Sequence, residues 1–369
     1  AGEVWIMEPT FFKGKKILVT GHTGFKGSWI CELLLHLGAE VTGYSLAPPT
    51  TPSLYQICGL DRRLHSVYGD IRDLEKLRSV MRQTEPELVL HMAAQPIVRE
   101  SYRNPVYTYD VNVMGTVHIL ECVRESESVR SFLNVTTDKV YRNREWEWGY
   151  RENEELNGFD PYSNSKSCSE LITCAYRNSF FSEGDGQSAI STARAGNVIG
   201  GGDFAADRII PDCYRAAAGH ETIELRNPES IRPYQHVLEP LMVYLMILRR
   251  QYEKPELAGC YNVGPDEGDC WCTRQVTECF ARCWQEQTGE ALAWRAAHTA
   301  GPHEANYLKL DCSKLKNTFG WQPRWKVETA VLRTAQWYAA YQRGDDMQAY
   351  TLAQICDFLG QDGNELKTE

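Results

Sequence analysis

Short β-branched runs alternate with longer amphipathic segments over the first two hundred residues, and this alternation constrains the fold more than any other feature. Strands are predicted over 17–19, 40–45, 87–91, 131–135 and 189–193, and helices over 28–37, 74–83, 111–126 and 162–180. Strands and helices that alternate in this way are typical of a parallel sheet with helices on both faces. The sequence therefore predicts an α/β fold with a doubly wound parallel sheet.

A glycine-rich turn, TGHTGFKG over residues 20–27, follows the first predicted strand and opens the first predicted helix. In such a turn one glycine permits a tight bend, a second lets the backbone approach a pyrophosphate, and a third lets the helix pack closely on the strand. The helix N-terminus adds free N–H groups for the anion. We therefore predict a Rossmann-type dinucleotide site at Gly21, Thr23, Gly24, Phe25 and Gly27. Lys26 is expected to face solvent, within reach of a cofactor phosphate.

Later segments extend the predicted cofactor site. Asp70 and Ile71 follow a further strand and are expected near the adenine, while Ala93, Ala94 and Gln95 offer small side chains where the cofactor passes. Ser45 and Asn112 complete this set. The second strand of such folds commonly ends in an acid that binds the ribose hydroxyls of NAD. Here it ends in Tyr44-Ser45-Leu46, with no acid and no adjacent arginine, so this position does not decide between NAD and NADP.

Tyr162 and Lys166 lie one turn apart on the same face of a predicted helix. A nearby cation lowers the pKa of a tyrosine from about 10 and makes the phenol a usable base. Thr137, at the end of the preceding strand, can hydrogen-bond a substrate hydroxyl and relay its proton to Tyr162. Because the carboxyl ends of parallel strands share one edge of the sheet, these side chains should meet there. They are the groups needed to oxidise a secondary alcohol by hydride transfer to a nicotinamide, with Lys166 also binding the cofactor ribose.

Charge and cysteine content exclude several classes of protein. The net charge of −10 argues against binding to nucleic acid or to an anionic membrane. The sequence contains no run of about 18 apolar residues, so no membrane span is predicted. The 13 cysteines and the absence of a signal-peptide pattern favour reduced thiols and a cytoplasmic location. Cys270, Cys272, Cys279 and Cys283 lack the spacing of paired C-x-x-C ligands, so we predict no metal.

These elements resemble the extended short-chain dehydrogenase/reductase family over about residues 15–323. Within it the chain is similar to the nucleotide-sugar 4,6-dehydratases, above all those that act on CDP-D-glucose. The matching segments are TDKVY (137–141), WEWGYRE (146–152), DPYS (160–163), RAGNVIGGGD (194–203), RPYQHV (232–237) and PHEA (302–305). The dTDP-glucose dehydratases carry an Asp-Glu pair where this chain has Asp138-Lys139, and the CDP-glucose type is expected to carry Trp where this chain has Tyr234.

The resemblance implies dehydration of a CDP-glucose-like substrate through bound NAD. Oxidation at C4 of the sugar is followed by loss of the C5 proton and the C6 hydroxyl, and the hydride then returns to C6. Asp138, in its protonated form, is expected to donate to the departing hydroxyl. Lys139 is expected either to take the C5 proton or to stabilise the enolate. The 4-keto-6-deoxy product lies on the route to deoxysugars of surface polysaccharide such as the O-antigen of lipopolysaccharide.

The resemblance also implies a set of substrate-binding residues. Arg208 and Arg232 are expected to bind the diphosphate, with Asn197 donating an amide hydrogen bond. Tyr234, Gln235, His236 and Glu304 are expected near the sugar or the nucleoside. A structural role for His236, and for Arg194 at a strand end, stays open.

Two other functions and several aspects of organisation stay open at this level. A nucleotide-sugar 4-epimerase would use the same glycine turn, Tyr162, Lys166 and Thr137, but would not need the Asp138-Lys139 pair. A regulatory protein that binds NAD(P) without turnover would be free to lose the catalytic groups. We expect a cofactor unit over 1–200 and a smaller, irregular α/β substrate-binding unit over 201–369, with strand exchange between them allowed. Relatives imply a homodimer or homotetramer through the helices at 111–126 and 162–180.

Overall fold

The computed structural model describes residues 9–181, 188–297 and 307–361. Its strands are β1 (Lys16–Thr20), β2 (Glu40–Ser45), β3 (His65–Tyr68), β4 (Leu88–His91), β5 (Ser131–Thr137), β6 (Ala189–Ala195), β7 (Val198–Ile199), β8 (Ile223–Leu225), β9 (Ile231–Arg232), β10 (Gln235–His236), β11 (Cys260–Val263), β12 (Trp271–Cys272) and β13 (Trp294–Ala296).

The α-helices are α1 (Phe25–His36), α2 (Leu54–Ile57), α3 (Leu74–Thr84), α4 (Val98–Arg103), α5 (Pro105–Tyr109), α6 (Gly115–Arg124), α7 (Pro161–Phe180), α8 (Ile209–Ala218), α9 (Leu238–Glu253), α10 (Thr273–Thr288), α11 (Ser313–Phe319), α12 (Val327–Arg343) and α13 (Met347–Leu359). Short 3-10 helices cover Pro9–Phe11, Leu60–Arg62, Asp138–Val140, Pro255–Leu257 and Glu267–Asp269, and a π-helix covers Asp110–Met114. In this described part, no helix combines the length and apolar character needed to cross a membrane.

Seven strands form one parallel sheet in the order β11-β6-β5-β4-β1-β2-β3, which confirms the predicted doubly wound fold. Every residue of β5 and of β6 is buried, as expected for strands covered by helices on both faces. Side chains alternate between the faces. Leu18 and Phe132 pack with α3 and α6, whereas Val19 and Leu133 belong to the larger core that contains α1 and α9.

The later half of the chain completes the same sheet. Strand β11 pairs in parallel with β6, and twelve of the sixteen residues of α9 are buried. The pairs β7–β10, β8–β13 and β9–β12 form three small two-stranded sheets in this half. Strands from both sides of residue 200 therefore share one sheet, and the proposed division there would separate β11 from the rest of that sheet.

Several predicted boundaries were wrong: α1 begins three residues before its predicted start, at Phe25, and β6 ends two residues beyond its predicted end, at Ala195. Strand β5 continues through Thr137, two residues beyond the predicted end, because Thr136 and Thr137 pair with Arg194 and Ala195 of β6. The helix predicted over 111–126 is interrupted at its start by the π-helix Asp110–Met114. Single π-helical turns of this kind occur often at functional sites because they redirect one side chain. The side chain at the centre of this turn is Asn112.

Candidate active site

One cavity of about 1200 Å³ lies at the carboxyl edge of the sheet. Its walls come from the loops after β1, β2, β4 and β5, from the start of α7 and from segments of the later half. Loops at this edge, where the strand order reverses between β1 and β4, form the usual ligand crevice of open α/β sheets. The fold thus brings nearly all predicted site residues to one place.

The glycine turn has the geometry of a phosphate cradle. Gly21 has a φ of 78°, and a Cβ built there would lie 2.8 Å from the backbone N of Ala93. A Cβ at Gly27 would lie 2.1 Å from the carbonyl oxygen of Gly21. Gly24 precedes α1 and has no side chain to bond the first N–H groups of the helix. Residues 24–27 line the cavity, so the positive end of α1 lies at its wall, which fits a dinucleotide pyrophosphate.

The predicted adenine end is organised around an ion pair. Arg72 donates to Asp70 at 2.7 Å and holds the pKa of that carboxyl below its usual range. Ser45 accepts or donates a 2.9 Å hydrogen bond with Thr23, and both side chains line the cavity. Ile71, Ala93, Ala94 and Gln95 line it too. This placement agrees with the predicted cofactor set.

Asn112 is an exception to that set. Its side chain accepts from the backbone N of Gln95 at 2.8 Å and donates to the carbonyl oxygen of the same residue at 3.1 Å. It also donates to Ser165 at 2.9 Å. Asn112 is buried beneath the cavity wall rather than in it, because the π-helix turns it toward the loop after β4. The expectation of a direct cofactor contact is corrected: Asn112 ties that loop to α7.

Tyr162, Lys166 and Thr137 meet at the carboxyl end of β5, and all three are buried against the cavity. The Nζ of Lys166 donates to the carbonyl oxygen of Val135 at 3.2 Å, and burial lowers its pKa to about 8. Burial raises the pKa of Tyr162 to about 12, although a hydrogen bond with Thr137 lowers it. Without bound cofactor the pKa of Tyr162 is thus raised and not lowered as expected, since desolvation outweighs the hydrogen bond with Thr137 and the charge of Arg208.

Asp138 and Lys139 lie beside Thr137 and line the same cavity instead of the outer surface. Asp138 is 1% exposed, accepts from the Thr137 hydroxyl at 2.9 Å and lies 3.9 Å from the Nζ of Lys139. Among the described residues its other oxygen, Oδ2, is buried without a hydrogen-bond partner. The side chain of Lys139 is 32% exposed. A carboxyl group and an amine thus reach the space in front of Tyr162.

Lys26 points into this space as well, so the expectation that it faces solvent is wrong. Its Nζ lies 3.5 Å from the hydroxyl of Tyr244, a residue of α9. Burial lowers the pKa of Lys26 to about 7, and the charges of Arg208 and Lys166 act in the same direction. The turn of α1 directs residue 26 toward α9, which the sequence alone could not reveal.

At the far end of the cavity, Asn197, Arg208, Arg232 and Tyr234 line the wall as predicted for substrate binding. Arg208 is paired with the buried Asp203 at 2.8 Å, and the charge of Asp203 raises the pKa of this arginine. Glu304 lies outside the described residues.

Gln235 and His236 are exceptions, because they point away from the cavity. Gln235 donates to the carbonyl oxygen of Val263 at 3.0 Å. The ring of His236 is fully buried between Trp29 and Trp325, and burial lowers its pKa to about 3. The expected contacts of these two residues with the sugar or nucleoside are corrected, since Gln235 is bonded to β11 and His236 packs among core side chains.

Arg194 has the bracing role that the sequence left open. It pairs with the buried Glu170 at 2.8 Å and donates to Tyr141 at 2.8 Å. Glu170 follows Lys166 by one helical turn and also accepts from Thr192 at 2.8 Å. The pair fixes α7 against β6 directly below the Tyr162–Lys166 pair.

Comparison with known proteins identifies the family of the chain that forms this cavity. A family model described as GDP-mannose 4,6 dehydratase matches residues 18–334. The chain belongs to this family. A CDP-glucose 4,6-dehydratase of Salmonella typhimurium is 46% identical over 358 residues, which is 96% of this chain and 99% of that protein. A dTDP-glucose 4,6-dehydratase of Xanthomonas campestris is 24% identical over 88% of this chain and 93% of that protein. The resemblance to extended short-chain dehydrogenases/reductases is confirmed.

Solved structures show the same fold as this member of the dehydratase family. A UDP-glucose 4-epimerase from Stenotrophomonas maltophila with bound NAD superposes with a TM-score of 0.76 at 20% identity, covering 89% of this chain and 99% of the other. A dTDP-glucose 4,6-dehydratase from Bacillus anthracis in complex with NAD gives 0.73 at 21% identity, covering 91% and 100%. Within the described ranges, no three His, Cys, Asp or Glu side chains cluster as metal ligands would.

Proposed function

We propose that this protein converts CDP-D-glucose to CDP-4-keto-6-deoxy-D-glucose with NAD as a resident cofactor. The observation that carries the proposal is the meeting of Asp138 and Lys139 with Tyr162, Lys166 and Thr137 on one cavity wall. Oxidation and reduction alone need only the last three. The additional carboxyl and amine are what the elimination step requires. The 46% identity to a CDP-glucose 4,6-dehydratase supports the choice of substrate.

The residues present fit NAD. The glycine cradle and the open N-terminus of α1 would hold the pyrophosphate, and Lys166 would bind the nicotinamide ribose. NAD supplies, when bound, an acceptor and later a donor of hydride next to the sugar. The second strand ends in Ser45, where folds of this type commonly have an acid. An acid does line this part of the cavity, at Asp70, and it is paired with Arg72.

The protein groups divide the proton transfers between them. Thr137 would hold the C4 hydroxyl. Tyr162 would take its proton as a phenolate, a form that Lys166 and the positive charge of bound NAD would favour, as the C4 hydrogen departs. The resulting ketone acidifies the C5 hydrogen. Lys139 would take the C5 proton while Asp138 donates a proton to the C6 hydroxyl, which leaves as water. As C6 is reduced, Lys139 would return its proton to C5, and the proton that Tyr162 took would make up for the one that Asp138 lost. Asp138 suits the acid role because its Oδ2 is buried in the described structure without a partner of its own.

Replacing Lys139 with methionine tests the elimination step. We expect K139M to reduce turnover by a factor of about 10²–10⁴, the usual contribution of a general base, and to abolish exchange of the C5 hydrogen with solvent deuterium. Formation of the 4-keto product is followed by its absorbance in alkali, and exchange by mass spectrometry. The matched control is K13M, at an exposed lysine outside the cavity.

Exchange at C5 that continues undiminished in K139M would remove Lys139 from this role. The same assay, run with CDP-, UDP- and dTDP-glucose on the unaltered protein, tests the proposed base specificity. A product that does not absorb in alkali and has the inverted configuration at C4 would identify an epimerase instead.

We further infer that the protein resides in a reducing compartment and assembles as a homo-oligomer. All 13 cysteines carry free thiols, which favours a reducing compartment such as the cytoplasm. We also infer a homo-oligomer that pairs the region of α6 with α7. The side chains of Met114, Leu171 and Phe180 in this region are 44%, 55% and 48% exposed, which an intersubunit contact would cover. The product, a 4-keto-6-deoxy sugar, suits the synthesis of deoxysugars for surface polysaccharide.

A further inference from the structure

Two arginines that the sequence did not single out converge on one carboxylate at the wall of the cavity. Arg99 belongs to α4, directly after the loop that follows β4, and Arg226 follows β8 in the later half of the chain. Their guanidinium groups lie 2.9 Å and 3.4 Å from the same oxygen of Asp207. All three residues line the cavity. The exposed fraction of the side chain is 32% for Arg99, 29% for Arg226 and 36% for Asp207.

The charges of this group do not balance. Two guanidinium groups share a single carboxylate, which leaves one positive charge facing the cavity. Neighbouring acids are engaged elsewhere: Asp203 pairs with Arg208, and Asp212 pairs with Arg215. In addition, the Nε of Arg99 is buried without a hydrogen-bond partner among the described residues. An unmatched cation beside an unused donor is a site prepared for an anion.

We propose that Arg99 and Arg226 bind the diphosphate of the nucleotide sugar in addition to Arg208 and Arg232. Asp207 holds the side chains of Arg99 and Arg226 in position until the substrate displaces it. The proposal rests on the function proposed above, because it takes a nucleoside diphosphate as the ligand. Arginine presents planar N–H donors that match phosphate oxygens as well as carboxylate oxygens. The oxygens of Asp207 and those of the diphosphate therefore compete for the same donors.

Position within the fold supports this assignment. Arg99 follows the predicted cofactor loop, whereas Arg226 and Asp207 belong to the half predicted to bind substrate. A diphosphate held by both arginines would bridge the two walls. Asp207 lies two residues before α8 and has a φ of 61°, a conformation that Asn and Asp tolerate better than other non-glycine residues. The backbone of this loop therefore accommodates either an aspartate or an asparagine at residue 207.

The competition predicts changes of opposite sign. R99Q and R226Q should each weaken binding of CDP by a factor of ten or more, since each loses a charged hydrogen bond to phosphate. D207N should tighten CDP binding about three- to tenfold, because asparagine keeps the backbone conformation and removes the competing charge. Binding of cytidine, which has no phosphate, should stay within twofold in all three variants. Titration calorimetry on the full-length protein measures each affinity.

R282Q is the matched control, because Arg282 loses the same charge but pairs with Glu328 on the outer surface of α10. Unchanged CDP affinity in both arginine variants would overturn the proposal. So would a D207N protein that loses affinity as the arginine variants do, since Asp207 would then be a structural support. If the unaltered protein binds UDP, GDP or dTDP in place of CDP, the proposed substrate fails while the arginine effects remain measurable. Binding of none of the four would overturn both.

Discussion

Lys26 shows what burial does to a single ionisable residue. Its amine lies in the cavity wall against Tyr244, close to the charges of Arg208, Lys166 and Lys139. Burial lowers its pKa to about 7, from an ordinary value of 10.5. Below pH 7 the amine is protonated in both the folded and the unfolded chain, so the full cost of burying the charge opposes folding. As the pH rises from 7 toward 10.5, the folded protein loses this proton first, and the lost stability is regained.

K26M should therefore stabilise the cofactor-free protein at pH 6, by about 1–3 kcal/mol once partial exposure is allowed for. The advantage over the unaltered protein should shrink as the pH rises and vanish near pH 10.5. Urea unfolding of both proteins across this range measures the difference. K13M, at an exposed lysine, should change stability by less than about 0.5 kcal/mol at every pH. A constant difference between K26M and the unaltered protein would contradict the lowered pKa.

At the scale of elements, the strand, turn and first helix form a unit that local sequence specifies. The predicted strand and helix at 17–19 and 28–37 correspond to β1 and α1. Gly21 is required by the distant backbone of Ala93, but the closest contacts of Gly27 lie within the turn itself. The closest of them joins a Cβ built at Gly27 to the carbonyl oxygen of Gly21, at 2.1 Å. No rotation of a side chain can relieve that contact.

G27A should accordingly weaken NAD binding by more than tenfold and cost about 1–3 kcal/mol or more of folding stability, as overpacking usually does. Fluorescence titration with NAD and thermal unfolding measure the two effects. G268A is the matched control, because a Cβ at Gly268 meets no atom within 4 Å in the described structure. If G27A binds NAD as the unaltered protein does, the cradle does not hold the pyrophosphate.

Elements whose form depends on distant partners were predicted less well. The end of β5 is set by pairing of Thr136 and Thr137 with β6, fifty-eight residues further along the chain, and periodicity within one segment does not report such pairing. The same holds for side chains. Asn112 turns toward Gln95, and Arg99 reaches Asp207, only because the fold brings separate segments together. The glycine pattern and the spacing of Tyr162 from Lys166 could be recognised in the sequence because each lies within one short segment of the chain.

On the scale of the whole molecule, the sheet unites segments that the sequence pattern separates. Strand β11 lies at its edge beside β6, and α9 covers the face that also receives α1. Nine large apolar side chains of α9 are buried in this core. They are Leu238, Leu241, Met242, Val243, Tyr244, Leu245, Met246, Ile247 and Leu248. At roughly 1.5–3 kcal/mol each, their burial contributes about 14–27 kcal/mol, which is comparable to or larger than the 5–15 kcal/mol by which domains are usually stable.

A fragment of residues 1–200 should therefore fail to fold cooperatively, although it contains the glycine turn and the Tyr162–Lys166 pair. It should bind a dye that reports exposed apolar surface, and its circular dichroism should change gradually on heating. The full chain should unfold in one sharp transition and bind little dye, because the sheet and α9 form a single core. A fragment that unfolds sharply and binds NAD would instead establish residues 1–200 as an independent domain, with β11 and α9 as additions to it.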